Sequence, residues 1–190
     1  MEFKELVKKR RTIRRFKQDS ISIDTLKSLI EYARLAPSAA NVQSLRYIIV
    51  KDSDVCQKIF PLVRWAANLP ESERAPESER RPTAYVIVLN DTEIKKGAKY
   101  DIGAAVQNIL LGATDEGLGA CWMGSIERDK LRIEFSIPEK YEITHVISLG
   151  YPDEKSKIEP FKGSYKYWKD ENGLMHVPKI SVEELIFKIE

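Results

Sequence analysis

The 190-residue sequence is poor in the residues that build covalent or metal-based chemistry: it has two cysteines, Cys56 and Cys121, and two histidines, His145 and His176. Two cysteines make no disulfide scaffold, which fits a reducing, cytoplasmic setting. The four side chains are also too scattered for the short ligand spacings of a zinc site. No apolar run approaches the roughly 18 residues that cross a bilayer, and MEFKELVKKRR lacks the apolar core of a signal peptide. Neither sign of charge dominates: 31 Lys and Arg face 29 Asp and Glu, for a net +2. A dedicated nucleic-acid domain normally carries a clear basic excess. Neither G-x-S-x-G nor G-x-x-x-x-G-K-[ST] occurs, and with two isolated histidines an acyl-transfer triad is disfavoured. If the chain is an enzyme, a bound cofactor supplies the hard chemistry.

Hydrophobic residues make up 43% and charged residues 32%, a mixture that folds. Apolar spacing predicts helices over 2–9, 22–36, from 52 towards Leu62 with Pro61 as breaker, 100–117, 127–135 and 182–189. Short apolar runs predict strands at 46–50, 85–89, 120–123 and 145–149. The 100–117 helix carries small residues on several faces and is expected to be central. Residues 70–82, with two copies of PESER, read as a solvated excursion or lid, and 153–179 as a polar tail. No linker divides the chain, so the expectation is one α+β domain over 1–190.

Three segments could carry function, and each has a plainer reading. The run Lys8–Arg15 places six cations in eight residues. It could be a solvated helix end, where cations meet the negative end of the dipole. It could also be an anion site, with guanidinium forks and the Thr12 hydroxyl as donors, or a polynucleotide-binding strip. The loop Pro37-Ser38-Ala39-Ala40-Asn41-Val42-Gln43 is a helix stop, or a flat seat for a planar ligand with amide groups from Asn41 and Gln43. Gly117-Leu118-Gly119 follows a helix and precedes a strand, the reverse of a dinucleotide fingerprint. Gly117 therefore reads as a helix C-cap, and Gly124 as a point of close backbone approach. Cys121 reads as a small buried apolar residue.

Together these segments resemble the FMN-dependent nitroreductase family. RRTIRRF (Arg10–Phe16) is similar to that family's R-R-[ST]-x-R-x-F signature, and APSAANVQS (Ala36–Ser44) to its A-P-S-x-x-N-x-Q loop. DIGAAVQNILLGATDEGLGACWMG (Asp101–Gly124) looks like its central helix and following G-L-G-x-x-W-x-G, and LGYP (Leu149–Pro152) like its last core strand end. The resemblance implies an α/β sandwich, a central mainly antiparallel sheet flanked by helices, in an intertwined homodimer with FMN at the interface. By position, Arg10, Arg11, Thr12 and Arg14 would hold the FMN phosphate and pyrimidine edge. Pro37, Ser38, Ala39 and Asn41 would cover the ring from the other subunit. Met123, Gly124 and Ser125 would offer a backbone N–H to flavin N5, and Lys162 would complete the phosphate site; no metal is implied. The implied activity is hydride transfer from NAD(P)H through the flavin to a small organic acceptor by a ping-pong mechanism, with no membrane or nucleic-acid partner. A flavin-binding protein without turnover, or a nucleic-acid binder using Lys8–Arg15, are the alternatives.

Overall fold

The computed structural model describes residues 1–190. Four strands, β1 (Leu45–Val50), β2 (Ala84–Asp91), β3 (Gly119–Met123) and β4 (Tyr141–Gly150), form an antiparallel sheet in the order β1-β2-β4-β3. Strand β2 is buried along its whole length, which explains its unbroken apolar run. Successive side chains point to opposite faces. Val86 and Val88 therefore join one core with Ile147 and Leu149, while Tyr85, Ile87 and Leu89 join the other with Cys121 and Met123.

The first core is closed by α2 (Ile23–Arg34) and α5 (Lys99–Asp115). Ser22 caps α2 by accepting the Thr25 N–H at 2.9 Å, as its position predicts. Gly112 lets α5 lie against α2: a Cβ there would stand 2.3 Å from the Tyr32 ring. The second core is covered by α3 (Ser53–Ile59), α6 (Arg128–Glu134) and the segment around Val63 and Trp65. Pro61 ends α3 as expected, in a 3-10 turn over Phe60–Leu62. Both cysteines are buried and unpaired, Cys121 as the sequence suggests.

The N-terminal helix α1 (Phe3–Lys9) feeds an extended segment that lies along the outer edge of β3. Thr12 bridges Ala120 in parallel register, and the Ile13 N–H donates to the Ala120 carbonyl at 3.0 Å. Gly119 makes this approach possible, because a Cβ there would sit 2.7 Å from Cβ of Ile13. Gly117, at φ +77°, turns the chain out of α5 as the sequence suggests.

Three segments differ from the sequence expectation. The stretch 153–179 is not a plain tail: β5 (Ser156–Pro160), β6 (Trp168–Lys169) and β7 (Met175–Lys179) make a second sheet in the order β5-β7-β6. Met175 and Val177 of β7 pack with Ala66 and Leu69, while the His176 ring between them in sequence stacks on Trp168 and lies between Glu159 and Asp170 at 2.8 and 3.1 Å. Residues 70–80 hold α4 (Glu71–Arg74) and a 3-10 turn at Ser78–Arg80, and Glu77 binds Arg15 rather than water alone. The last helix, α7 (Val182–Leu185), is one turn, shorter than predicted, and the apolar residues after it are exposed. No helix is long and apolar enough to cross a membrane.

Candidate active site

Pairing with β3 sorts the cations of Lys8–Arg15 into different roles. Arg10 ends α1 half-buried, and its side chain has no hydrogen-bond or ion-pair partner. Burial lowers its pKa; burial and then the neighbouring Arg10 charge lower that of Arg11. Arg11 spends one Nη on the Val7 carbonyl at 3.0 Å, while its Nε is buried with no partner. Two adjacent guanidinium groups, partly desolvated and unneutralised, are unfavourable unless an anion joins them. Thr12 follows them in sequence, at the bridge to Ala120.

Arg14 is fixed at the backbone, where its N–H donates to Glu154 Oε1 at 2.5 Å, and its guanidinium lies 4.9 Å over the Tyr167 ring. Arg15 points inward. Its Nε and one Nη donate to the Glu77 carboxylate at 2.9–3.3 Å, and that Nη also reaches the Glu73 carbonyl at 3.1 Å. The basic run is therefore not a continuous charged surface.

Strand β3 then delivers Met123, Gly124 and Ser125 along the same sheet edge. Met123 is buried in the second core, whereas Gly124 and Ser125 are exposed. Neither the Gly124 nor the Ser125 N–H has a hydrogen-bond acceptor within the chain. The close approach expected at Gly124 is to His145, whose ring would lie 3.3 Å from a Cβ there. Burial, then the nearby Arg128 charge, hold His145 below its ordinary pKa and keep it uncharged at neutral pH. Trp122 meets that ring edge-on at 5.1 Å between centroids and is 40% exposed beside Gly124.

The loop after α2 is shaped by one carboxylate that the sequence reading missed. Asp101, buried at the start of α5, accepts from Ser38 Oγ (2.9 Å), the Ala39 N–H (3.3 Å) and Lys95 Nζ (2.9 Å). The Lys95 bond first, then the Ser38 and Ala39 bonds, lower its pKa. An acid on the same helical face as Ile102 and Ala105 was its one visible signal. Anchored there, the loop places Ala40, Asn41 and Gln43 in the left-handed region at φ 53–54°. Such strain in non-glycine residues collects at ligand-binding loops. Pro37 and Ser38 border a cavity of about 490 Å³ with an apolar floor that includes Leu45, Tyr47 and Ile49.

Within one chain, Arg10–Arg14 and Met123–Ser125 share the β3 edge, but the Pro37–Asn41 loop makes no hydrogen bond to them, and none of them lines the cavity beside Pro37. Lys162 lies exposed after β5 with no polar partner, and the tail side chains that touch the arginine segment are Glu154 and Tyr167. The residues fit a ligand with an anionic end and a hydrogen-bond-accepting ring edge. The unpartnered Arg11 Nε meets the first need, and the free amides after β3 meet the second.

Comparison with known proteins bears on this arrangement. The sequence model of the nitroreductase family matches residues 7–151. An Archaeoglobus fulgidus protein, named for NADH dehydrogenase and NAD(P)H nitroreductase activity, is 32% identical over 165 residues, covering 82% of this chain and 88% of that one. An FMN-dependent nitroreductase from Clostridium difficile superposes with a TM-score of 0.68 at 25% identity, covering 80% of this chain and 88% of that one. A family protein from Streptococcus pneumoniae shares the fold over 99% of this chain and 100% of its own, with a TM-score of 0.73 at 19% identity.

Proposed function

Since the chain belongs to the nitroreductase family, we propose that it is an FMN-dependent oxidoreductase, a single domain over 1–190 that works as a homodimer. Bound FMN would supply hydride transfer at N5 between NAD(P)H and a small organic acceptor such as a nitroaromatic or quinone, in ping-pong order. The observation that carries this reading is the partly buried, unneutralised pair Arg10 and Arg11 on the same strand edge as the free Gly124 and Ser125 amides.

Each part of the chain has a task. Arg10 and Arg11 bind the phosphate, with Thr12 as a neutral donor; Lys162 is a further candidate on the tail. Arg14 lies at the pyrimidine edge, where a fixed cation favours the anionic reduced ring. Met123, Gly124 and Ser125 line the N5 side. Pro37, Ser38, Ala39 and Asn41 cover the ring of the partner subunit's site, a reading supported by the loop having no hydrogen bond to the arginines of its own chain. No side chain has to act as acid or base, and His145, uncharged and behind Gly124, is not required for a proton.

Purification tests this directly. The protein is expected to bind FMN and to oxidise NAD(P)H with an added acceptor. Arg10→Ala should weaken FMN by roughly 2 kcal/mol, or about thirtyfold, in a fluorescence titration. A colourless protein that neither binds added FMN nor consumes NAD(P)H in its presence overturns the proposal. Binding without turnover would leave a flavin carrier instead.

A further inference from the structure

We infer that Arg128, outside the motifs that carry the family resemblance, is a positioning residue that aims the Ser125 N–H at the flavin ring; this rests on the flavin site proposed above. Arg128 begins α6 and has no carboxylate partner. Its guanidinium instead reaches three backbone carbonyls: Nε donates to Ile143 at 2.9 Å, and Nη2 donates to Thr144 at 3.0 Å and to Gly124 at 3.1 Å.

The sheet explains why those carbonyls are available. Strand β3 ends with Met123 opposite Val146, so the outer edge of β4 at 143 and 144 has no strand beside it. In a regular strand, neighbouring carbonyls point to opposite edges. Here the register slips between Val88 and Leu89, so that His145 pairs with Val88 and Ile143 with Leu89, leaving Thr144 extra. A bulge of this kind lets two consecutive carbonyls turn to one side. The Thr144 Oγ1 stabilises the slip by donating to the Val88 carbonyl at 2.9 Å.

The third bond ties this edge to the candidate site. The Gly124–Ser125 peptide is trans, so its N–H points opposite to its C=O. With the Gly124 carbonyl held by Arg128, the Ser125 N–H is directed away from the guanidinium, and it has no acceptor within the chain. The next carbonyl is fixed as well: Ser125 O accepts the Arg64 N–H at 3.0 Å, and the Glu127 N–H donates to the Leu62 carbonyl at 2.8 Å. The peptide is thus clamped on both sides. A carbonyl that accepts from a cation also polarises its amide, which makes the N–H a stronger donor.

An N–H aimed at N5 recognises the oxidised ring, where N5 carries a lone pair. In the reduced ring N5 carries a hydrogen and is a much poorer acceptor, so the same N–H recognises it less. Arg128 should therefore favour oxidised FMN selectively, unlike a residue that merely holds the fold.

The test titrates apo-protein with FMN, oxidised and dithionite-reduced, for wild type, Arg128→Gln and Arg128→Lys, with thermal melting of each apo form. Arg128→Gln should weaken oxidised FMN about tenfold and reduced FMN less than threefold, moving the flavin midpoint potential upward. Arg128→Lys should fall between wild type and Arg128→Gln, and it carries the comparison if the glutamine variant does not fold. Equal weakening of both forms, or none, overturns the inference while leaving the flavin site standing. Failure of wild type to bind FMN removes both.

Discussion

Replacing Arg15 by methionine tests how the tail and the 70–80 segment are held to the core. The Arg15 side chain is 4% exposed and that of its partner Glu154 is 2% exposed, so both are buried. One Glu154 oxygen accepts the Arg14 N–H; the other has no hydrogen bond and lies 3.8 Å from an Arg15 Nη. Methionine keeps the volume but leaves that carboxylate buried without its cation. Breaking a buried pair from one side costs about 3–5 kcal/mol. For a chain of this size that corresponds to a fall in Tm of roughly 6–20 °C. Adding Glu154→Gln removes the stranded charge, so the double variant should regain at least half of the loss.

Acid unfolding reads the other partner of Arg15, Glu77. The Arg15 hydrogen bonds hold Glu77 down to about 2, below the usual carboxylate range. A carboxyl whose folded pKa is depressed stabilises the protein above its unfolded pKa and loses that contribution as pH falls towards the folded value. The wild type should therefore lose this increment between roughly pH 4.5 and 2, while Arg15→Met shows less of it. Circular dichroism melts across that range measure both effects. A Tm change below about 3 °C with an unaltered acid limb, or a double variant no more stable than the single, would refute the clamp.

The remaining predictions concern the strand edge. Gly119→Ala should push Ile13 off β3, because the new Cβ would sit 2.7 Å from Ile13 Cβ. We expect a cost of about 1–3 kcal/mol in urea unfolding, together with weaker FMN binding; an unchanged midpoint and affinity would show that the two segments separate freely. Burial first, and for Cys56 also Asp52, pushes both thiols up to about 11. Neither should react with a disulfide reagent at pH 8 in the folded protein, whereas both should react at once in guanidinium. Rapid native labelling would contradict the packing of the second core.

Much of this arrangement is legible in the sequence because local backbone constraints set it. The alternation in YVIVL, the spacing along 100–117 and the glycines after it each need only a few neighbouring residues to be read, and β2, α5 and Gly117 occur where they predict. The second sheet escapes such reading. Its β5 and β7 pair in parallel although β6 comes between them in sequence, and its apolar alternation is confined to Met175 and Val177, which pack with Ala66 and Leu69, so no long apolar period marks it. The left-handed turn at Ala40, Asn41 and Gln43 carries no glycine to announce it; a buried acid sixty residues onward imposes it. The arginine cluster was visible as composition, but its division was not. Arg15 is claimed by Glu77 and Arg11 is left with a buried, unmet Nε, and both outcomes depend on pairing with β3 and on which carboxylates the distant loops bring near. Charge patterns therefore mark where an anion could bind, while the fold decides which of those charges remain free to bind it.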